Sequence, residues 1–207
     1  MLGLKKLAVT GGLSSGKTTV CKIFESLGAY YVSADQIVHR LLSPKTKIGK
    51  EIIDLLGPEI VNGDQFDRAK IAEKVFSQKD KLYALEQILH PAVIDEIKTL
   101  YDQIKKAGKY ALFVAEVPLL FESESEKFFD CILTVIADPE TCKKRFHSKP
   151  GASDQEFEKR MARQWDMKQK AAKADFTLTN NDGLEELKNN ATKLYQRILN
   201  YVPRRTA

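Results

Sequence analysis

Apolar positions follow two rhythms along this chain. Leu7-Ala8-Val9 is a short apolar run bounded by Lys6 and by Gly11-Gly12. A run so brief, ended by glycines, predicts a buried strand and not a helix. Val20, Ile23, Phe24 and Leu27 then recur at helical spacing, and Gly28 falls where the residue just past a helix belongs. Tyr30-Tyr31-Val32 reads as a second strand. Strand, loop, helix and strand in that order predict a parallel βαβ unit.

From Ala34 to Ala107 the rhythm is helical. Ile37, Val38, Leu41 and Leu42 form one apolar stripe, closed by Ser43-Pro44; Ile48, Ile52, Leu55 and Leu56 form another, closed by Gly57-Pro58. Asn62-Gly63 marks a turn, and Asp67 is placed to cap a helix running towards Phe76. Pro91 suits the first turn of a long helix carrying Val93, Ile94, Ile97, Leu100, Tyr101 and Ile104, ended by Gly108. Several helices in succession predict a helical subdomain inserted between strands. Strand character returns at 111–117 and 131–137, and Phe176-Thr177-Leu178-Thr179 reads as a last strand before a closing amphipathic helix. Asp138-Pro139-Glu140 predicts a capped helix start, and Ser153 with Glu156 a capping box.

A length of 207 residues suits one globular core plus an insertion. Lys and Arg exceed Asp and Glu by 33 to 28, an excess too small to argue for nucleic acid, and no recognition motif for it occurs. The three cysteines, Cys21, Cys131 and Cys142, show neither a zinc spacing nor a disulfide framework. No stretch approaches the roughly 20 apolar residues of a membrane span. The expectation is a soluble, cytoplasmic protein with reduced thiols.

Gly11-Gly12-Leu13-Ser14-Ser15-Gly16-Lys17-Thr18 fits G-x-x-x-x-G-K-[ST] and lies between a predicted strand and a predicted helix, as a P-loop requires. Glycines let such a loop curl so that backbone N–H groups point at phosphate oxygens, and the following helix adds its positive end. Lys17 is then placed to reach the β- and γ-phosphates of ATP, and the Thr18 hydroxyl to bind Mg²⁺. A triphosphate site does not fix the chemistry. No Asn-Lys-x-Asp tetrad for guanine occurs, which weighs against a GTPase switch. Phe113-Val114-Ala115-Glu116 imitates the strand and acid of a motor ATPase and leaves that reading open.

Asp35 follows the second strand directly, suited to accept a proton from an attacking hydroxyl, to orient Mg²⁺ through water, or to cap the next helix. His90, in Leu89-His90-Pro91, reads first as a hydrogen-bonded residue at a helix junction. Glu116 stands at a strand end near the usual ligand crevice, while Glu122 also fits a solvated loop. The segment 143–170 carries nine Lys or Arg against four Asp or Glu, including Arg145, Lys149, Arg160 and Arg163. Such a segment suits a lid whose arginines neutralise charge on a transferred phosphoryl group, or a plain solvated face. Trp165 and Phe157 read as core or hinge packing.

With these segments in order, the chain resembles the dephospho-coenzyme A kinase family over roughly residues 7–190. The resemblance rests on Thr10 through Thr19, Ala34-Asp35, Leu89-His90-Pro91, Val117-Pro118-Leu119-Leu120-Phe121-Glu122, Arg160 to Gln164, and Ala174-Asp175 ahead of Asn180. The resemblance implies an α/β fold: a three-layer P-loop core with a parallel sheet, formed by 1–35 and 108–207. It further implies a lid near 140–170 and a helical substrate-binding insert at 36–107. The implied activity is ATP-dependent phosphorylation of the ribose 3′-hydroxyl of dephospho-coenzyme A. The implied roles are Asp35 as general base, Lys17 and Arg145 as catalytic cations, and Thr18 as the Mg²⁺ ligand. Gly11 to Thr19, with Arg145 and Asn180, take ATP; His90, Pro118, Leu119, Leu120 and Arg163, with Asp35, take the acceptor.

The chain departs from the family pattern where Ser33 replaces the first acid of Asp-Ala-Asp, and where Lys149 replaces a lid arginine. A lysine there cannot make the bidentate fork that suits phosphate. Pro44-Lys45 stands for the family's Pro-Gly, a loop difference. A kinase for nucleosides or nucleoside monophosphates is the alternative enzyme, weakened because 36–107 holds only Arg40 and Arg68 as arginines. A nucleotide-dependent regulatory protein is the alternative outside catalysis.

Overall fold

A computed structural model describes residues 3–76, 78–148 and 150–202. The elements begin with β1 (Lys5–Gly11), α1 (Lys17–Ser26) and β2 (Tyr30–Ser33), followed by α2 (Ala34–Leu41) and α3 (Lys47–Leu56). A short hairpin of β3 (Val61–Asn62) and β4 (Gln65–Phe66) precedes α4 (Arg68–Phe76) and the long α5 (Lys79–Ala107). Then come β5 (Leu112–Glu116), β6 (Cys131–Ile136), α6 (Pro139–His147), α7 (Asp154–Met161), α8 (Met167–Lys173), β7 (Phe176–Thr179) and α9 (Leu184–Asn200). Among the described residues no helix is long and apolar enough to cross a membrane.

Five strands form a parallel sheet in the order β2-β5-β1-β6-β7. Alternation along the strands assigns each residue to a face. Leu7 and Val9, Leu112 and Val114, and Leu133 and Val135 pack with Val20 and Phe24 of α1 and Leu187, Ala191, Leu194 and Ile198 of α9. On the other face Phe113 meets the Tyr101 ring edge-on at 5.5 Å, and the Thr134 hydroxyl donates to the Lys170 carbonyl of α8 at 3.3 Å. Helices thus cover both faces, as a parallel sheet requires. The register aligns Val9, Ser33 and Glu116 across three strands, while β1 runs on to Gly11 opposite Val135. The C-terminal ends of β1, β2 and β5 therefore finish together, the edge at which α/β sheets hold ligands.

Two long-range ties fix the last segments to this sheet. Lys5 Nζ donates to the carbonyls of Ile198, Leu199 and Tyr201, which satisfies the final turn of α9. The Asp175 carboxylate accepts from Ile132 N–H at 2.9 Å and from the Tyr201 hydroxyl at 2.7 Å, which explains an acid at that position without any catalytic duty.

The chain divides into two compact units, one of 1–33 with 101–207 and one of 34–100. The second unit has its own apolar centre of Ile52, Leu56, Ile60, Phe66, Ile71, Val75 and Leu85. Thr46 caps α3 by accepting from Gly49 N–H at 2.8 Å, and Asp67 caps α4 by accepting from Ala69 and Lys70 N–H. Asn62-Gly63 does turn the chain, but between two paired two-residue strands that periodicity cannot register.

Three local expectations change. Pro91 lies inside α5 and does not open it, and His90 is consequently mid-helix, not at a junction. Leu85 before the proline and Val93, Ile94 and Ile97 after it are all buried. Each contributes about 1.5–3 kcal/mol on burial, which together outweighs the roughly 3 kcal/mol that an interior proline costs. Asp138 holds the N-cap position of α6 without a capping bond from its side chain; its own N–H donates to Asn181 Oδ1. Trp165 is 36% exposed and stacks on Phe121 at 5.8 Å, whereas Phe157 is buried against Phe146.

Candidate active site

The loop between β1 and α1 is shaped by backbone that side chains resist. Gly11 has φ +143° and Gly16 φ +101°, and a Cβ at Gly11 would lie 2.0 Å from the Val135 carbonyl oxygen. Ser14, although not glycine, also has φ +56°. Left-handed backbone at such a residue costs about 1–2 kcal/mol and concentrates where function fixes the geometry. The first N–H groups of an α-helix have no acceptor in their own helix, and those of α1 lie at the end of this loop. The buried hydroxyls of Ser14 and Ser15 have no hydrogen-bond partner. A loop of N–H groups and unsatisfied hydroxyls fits a polyanion.

Lys17 is 8% exposed, and its ammonium donates to the Gly12 carbonyl at 2.7 Å and the Gly11 carbonyl at 3.4 Å. The Thr18 hydroxyl donates to Glu116 Oε1 at 2.7 Å, and the Tyr31 hydroxyl to Glu116 Oε2 at 2.6 Å. Glu116 is 6% exposed at the end of β5, so its two oxygens are spent on these hydroxyls. Burial, reinforced by the Glu116 carboxylate, raises the Tyr31 phenol well above the ordinary tyrosine value. The phenol therefore stays protonated and remains a donor. The Thr18 hydroxyl and the Glu116 carboxylate are both hard oxygen donors of the kind Mg²⁺ takes, usually one or two at a time with phosphate and water completing the shell.

Arg145 and Asn180, far apart in sequence, meet at the same loop. Asn180 Nδ2 donates to the Ser15 carbonyl at 2.7 Å. Arg145 Nη1 donates to the Asn180 carbonyl at 3.0 Å, and Nη2 to its Oδ1 at 3.4 Å. Met167 of α8 closes on Gly12, where an added Cβ would come within 2.4 Å of its Sδ. Gly11 to Thr19, Arg145 and Asn180 thus form one contiguous set in the first unit.

The remaining expected residues stand as follows. Pro118, Leu119 and Leu120 follow β5, and the Pro118 carbonyl accepts from the Thr10 hydroxyl at 3.2 Å. Arg163 is exposed between α7 and α8. Arg160 pairs with Glu156 at 2.6 Å. Asp35 and His90 belong to the second unit; Asp35 is the second residue of α2, inside the helix and not its cap. Lys149 lies outside the described residues.

Sequence reasoning assigned no role to Tyr31, and none to the buried pair of Lys170 and Glu122, 2.7 Å apart. Glu116 carries a signal, an acid closing an apolar strand near the ligand crevice, though the same pattern also leaves a motor ATPase open.

Residues 6–186 match the family model described as Dephospho-CoA kinase. A curated relative of that name from Protochlamydia amoebophila (strain UWE25) is 47% identical over 203 residues, 98% of this chain and 100% of the relative. Among solved structures, a Thermus thermophilus protein has a TM-score of 0.79 at 30% identity, covering 95% of this chain and 98% of that one. Dephospho-CoA kinase from Campylobacter jejuni has a TM-score of 0.70 at 26% identity, covering 94% of this chain and 96% of that one. With the phosphate loop, the parallel sheet and this likeness over nearly its full length, the chain belongs to the dephospho-CoA kinase family, ATP-using kinases that act last in coenzyme A biosynthesis.

Proposed function

We propose that this chain transfers the γ-phosphoryl group of ATP, bound with Mg²⁺, to the 3′-hydroxyl of the ribose of dephospho-CoA. The observation that carries the reading is the Thr18–Glu116–Tyr31 linkage at the head of α1, in a chain of this family. It holds the Thr18 oxygen at the end of the loop, where Thr18 would help hold Mg²⁺. When bound, Mg²⁺ neutralises charge on the phosphates.

On this reading the loop N–H groups from Gly11 to Thr19 cradle the phosphates, and the Lys17 ammonium leaves the loop carbonyls to follow the γ-phosphoryl group. Arg145 adds a second cation from the lid, already aimed at the loop through Asn180. Asn180 and its neighbours border the adenine. Asp35 takes the proton from the 3′-hydroxyl. With Ser33 where the family carries an acid, one carboxylate does this work. His90, Pro118, Leu119, Leu120 and Arg163 receive the acceptor, and the helical segment 36–107 shapes its site. The enzyme acts in the cytoplasm on small molecules, with no nucleic-acid partner.

The Asp35→Asn variant tests the assignment of the base. It should keep its Kd for ATP within about threefold and lose roughly 10²–10⁴-fold in kcat, the usual share of a general base. Normal turnover would remove Asp35 from that role. A parallel loss of ATP affinity would instead make it a residue that holds the nucleotide.

A further inference from the structure

Lys170 on α8 is fully buried, one of the largest side chains in the protein with no solvent contact. Its ammonium donates to Glu122 Oε1 at 2.7 Å and to the Pro118 carbonyl at 2.8 Å. Each acceptor is shared. The Pro118 carbonyl also takes the Thr10 hydroxyl, from the strand that becomes the phosphate loop. Glu122 Oε1 also takes the Trp165 N–H at 2.7 Å, from the arm that returns from the lid segment. One cation therefore joins β1, the segment after β5 and the lid arm. Met167, one turn earlier on the same face of α8, touches Gly12.

A buried ion pair is a poor stability device, because desolvation of both charges opposes their attraction and an apolar pair of similar volume often does as well. What an ion pair with directed hydrogen bonds supplies is position. We propose that Lys170 is a positioning residue for phosphoryl transfer, its ammonium clamping α8 to the Pro118–Glu122 segment, which the Pro118 carbonyl ties to β1 beside the phosphate loop. The catalytic consequence rests on the function proposed above; the clamp itself does not. With the clamp closed, the Pro118-Leu120 segment and Gly12 hold a fixed spacing. Without it, the loop still binds ATP but the acceptor side is loose.

The protein has a single tryptophan, Trp165, whose ring stacks on Phe121 and whose backbone N–H donates to Glu122. Its fluorescence reports on the clamp whatever the acceptor is. The variants are Lys170→Met, Lys170→Arg and the double variant Lys170→Met with Glu122→Gln, which leaves no unpaired buried charge. Below their melting temperatures, the Met variants should show red-shifted Trp165 emission and at least twofold greater quenching by iodide. They should lose at least tenfold in kcat with dephospho-CoA, with Kd for ATP changed less than threefold, and Lys170→Arg should recover part of both. The double variant should regain thermal stability without regaining kcat. If Lys170→Met does not fold, the double variant carries the same readouts. Wild-type emission and turnover in these variants would overturn the clamp, as would stability and kcat returning together in the double variant. Absence of turnover in the wild type would overturn the proposed function, while the Trp165 signal would still decide the clamp.

Discussion

Replacing Gly16 by alanine strikes the phosphate loop where Asn180 packs on it. Gly16 has φ +101° and ψ 18° at the N-cap of α1. An alanine forced into left-handed backbone costs about 1–2 kcal/mol. Its Cβ would also stand 2.2 Å from Asn180 Nδ2, the atom that donates to the Ser15 carbonyl. Asn180 has little freedom to withdraw, being 6% exposed with its carbonyl held by Arg145. Losing its bond to Ser15 adds about 0.5–1.5 kcal/mol, and the buried carbonyl left behind adds to that. The sum is about 2–4 kcal/mol, a fall of roughly 5–15 °C in Tm for a chain of this size.

A double-mutant cycle separates the two parts. In the Asn180→Ala background there is no amide to displace, so Gly16→Ala should cost only the backbone share of about 1–2 kcal/mol. The cycle should therefore show coupling of about 1–2 kcal/mol by urea denaturation, beyond the roughly 0.3–0.5 kcal/mol scatter of independent sites. Since the strain falls on the phosphate loop, Gly16→Ala alone should also weaken ATP by at least tenfold in calorimetric titration. An additive cycle together with full ATP affinity would mean that Gly16 and Asn180 do not confine one another.

Tyr31→Phe removes the donor to Glu116 Oε2 and leaves a buried carboxylate oxygen without it. Urea denaturation should show a loss of about 1.5–3 kcal/mol, the range for a hydrogen bond to a charged group, and kcat should fall more than ATP affinity; unchanged stability would mean that the linkage does not bear on folding. The phenols of Tyr31, Tyr101 and Tyr195 are all raised above the ordinary value, chiefly by burial. At high pH the folded chain then keeps protons that the unfolded chain releases, so this contribution to stability is complete below about pH 10 and is lost as pH rises beyond it. Absorbance titration of the native protein near pH 11 should show fewer than the seven tyrosines ionised, with all seven ionised in urea; seven phenols titrating together in the native state would contradict the burial argument.

Local signals made the framework readable. The phosphate loop announces itself because glycine, lysine and threonine must occupy fixed offsets, and β7 was readable as Phe176–Thr179 because turn residues follow it directly. The hairpin at Val61–Phe66 stayed hidden since strands of two residues have no period to detect. Pro91 misled because its local rule, the start of a helix, yields to tertiary burial on both sides. In the site, Lys170 looked like one more charge on a basic face. Its burial depends on Glu122 and Pro118, which sequence distance conceals and the sheet brings near. The chain of contacts from Arg145 through Asn180 to Ser15 is equally non-local: the basic segment marks Arg145, but only the family resemblance joins it to Asn180 at the nucleotide.

Incubating the purified protein with Mg²⁺, ATP labelled at the γ-phosphate and dephospho-CoA, beside a panel of nucleoside monophosphates, decides whether this chain is a dephospho-CoA 3′-kinase. Label should move to dephospho-CoA, and phosphorus NMR of the product should find the new phosphate on the ribose 3′-oxygen. Label passing instead to a monophosphate, or no transfer under conditions where ATP demonstrably binds, would contradict that activity.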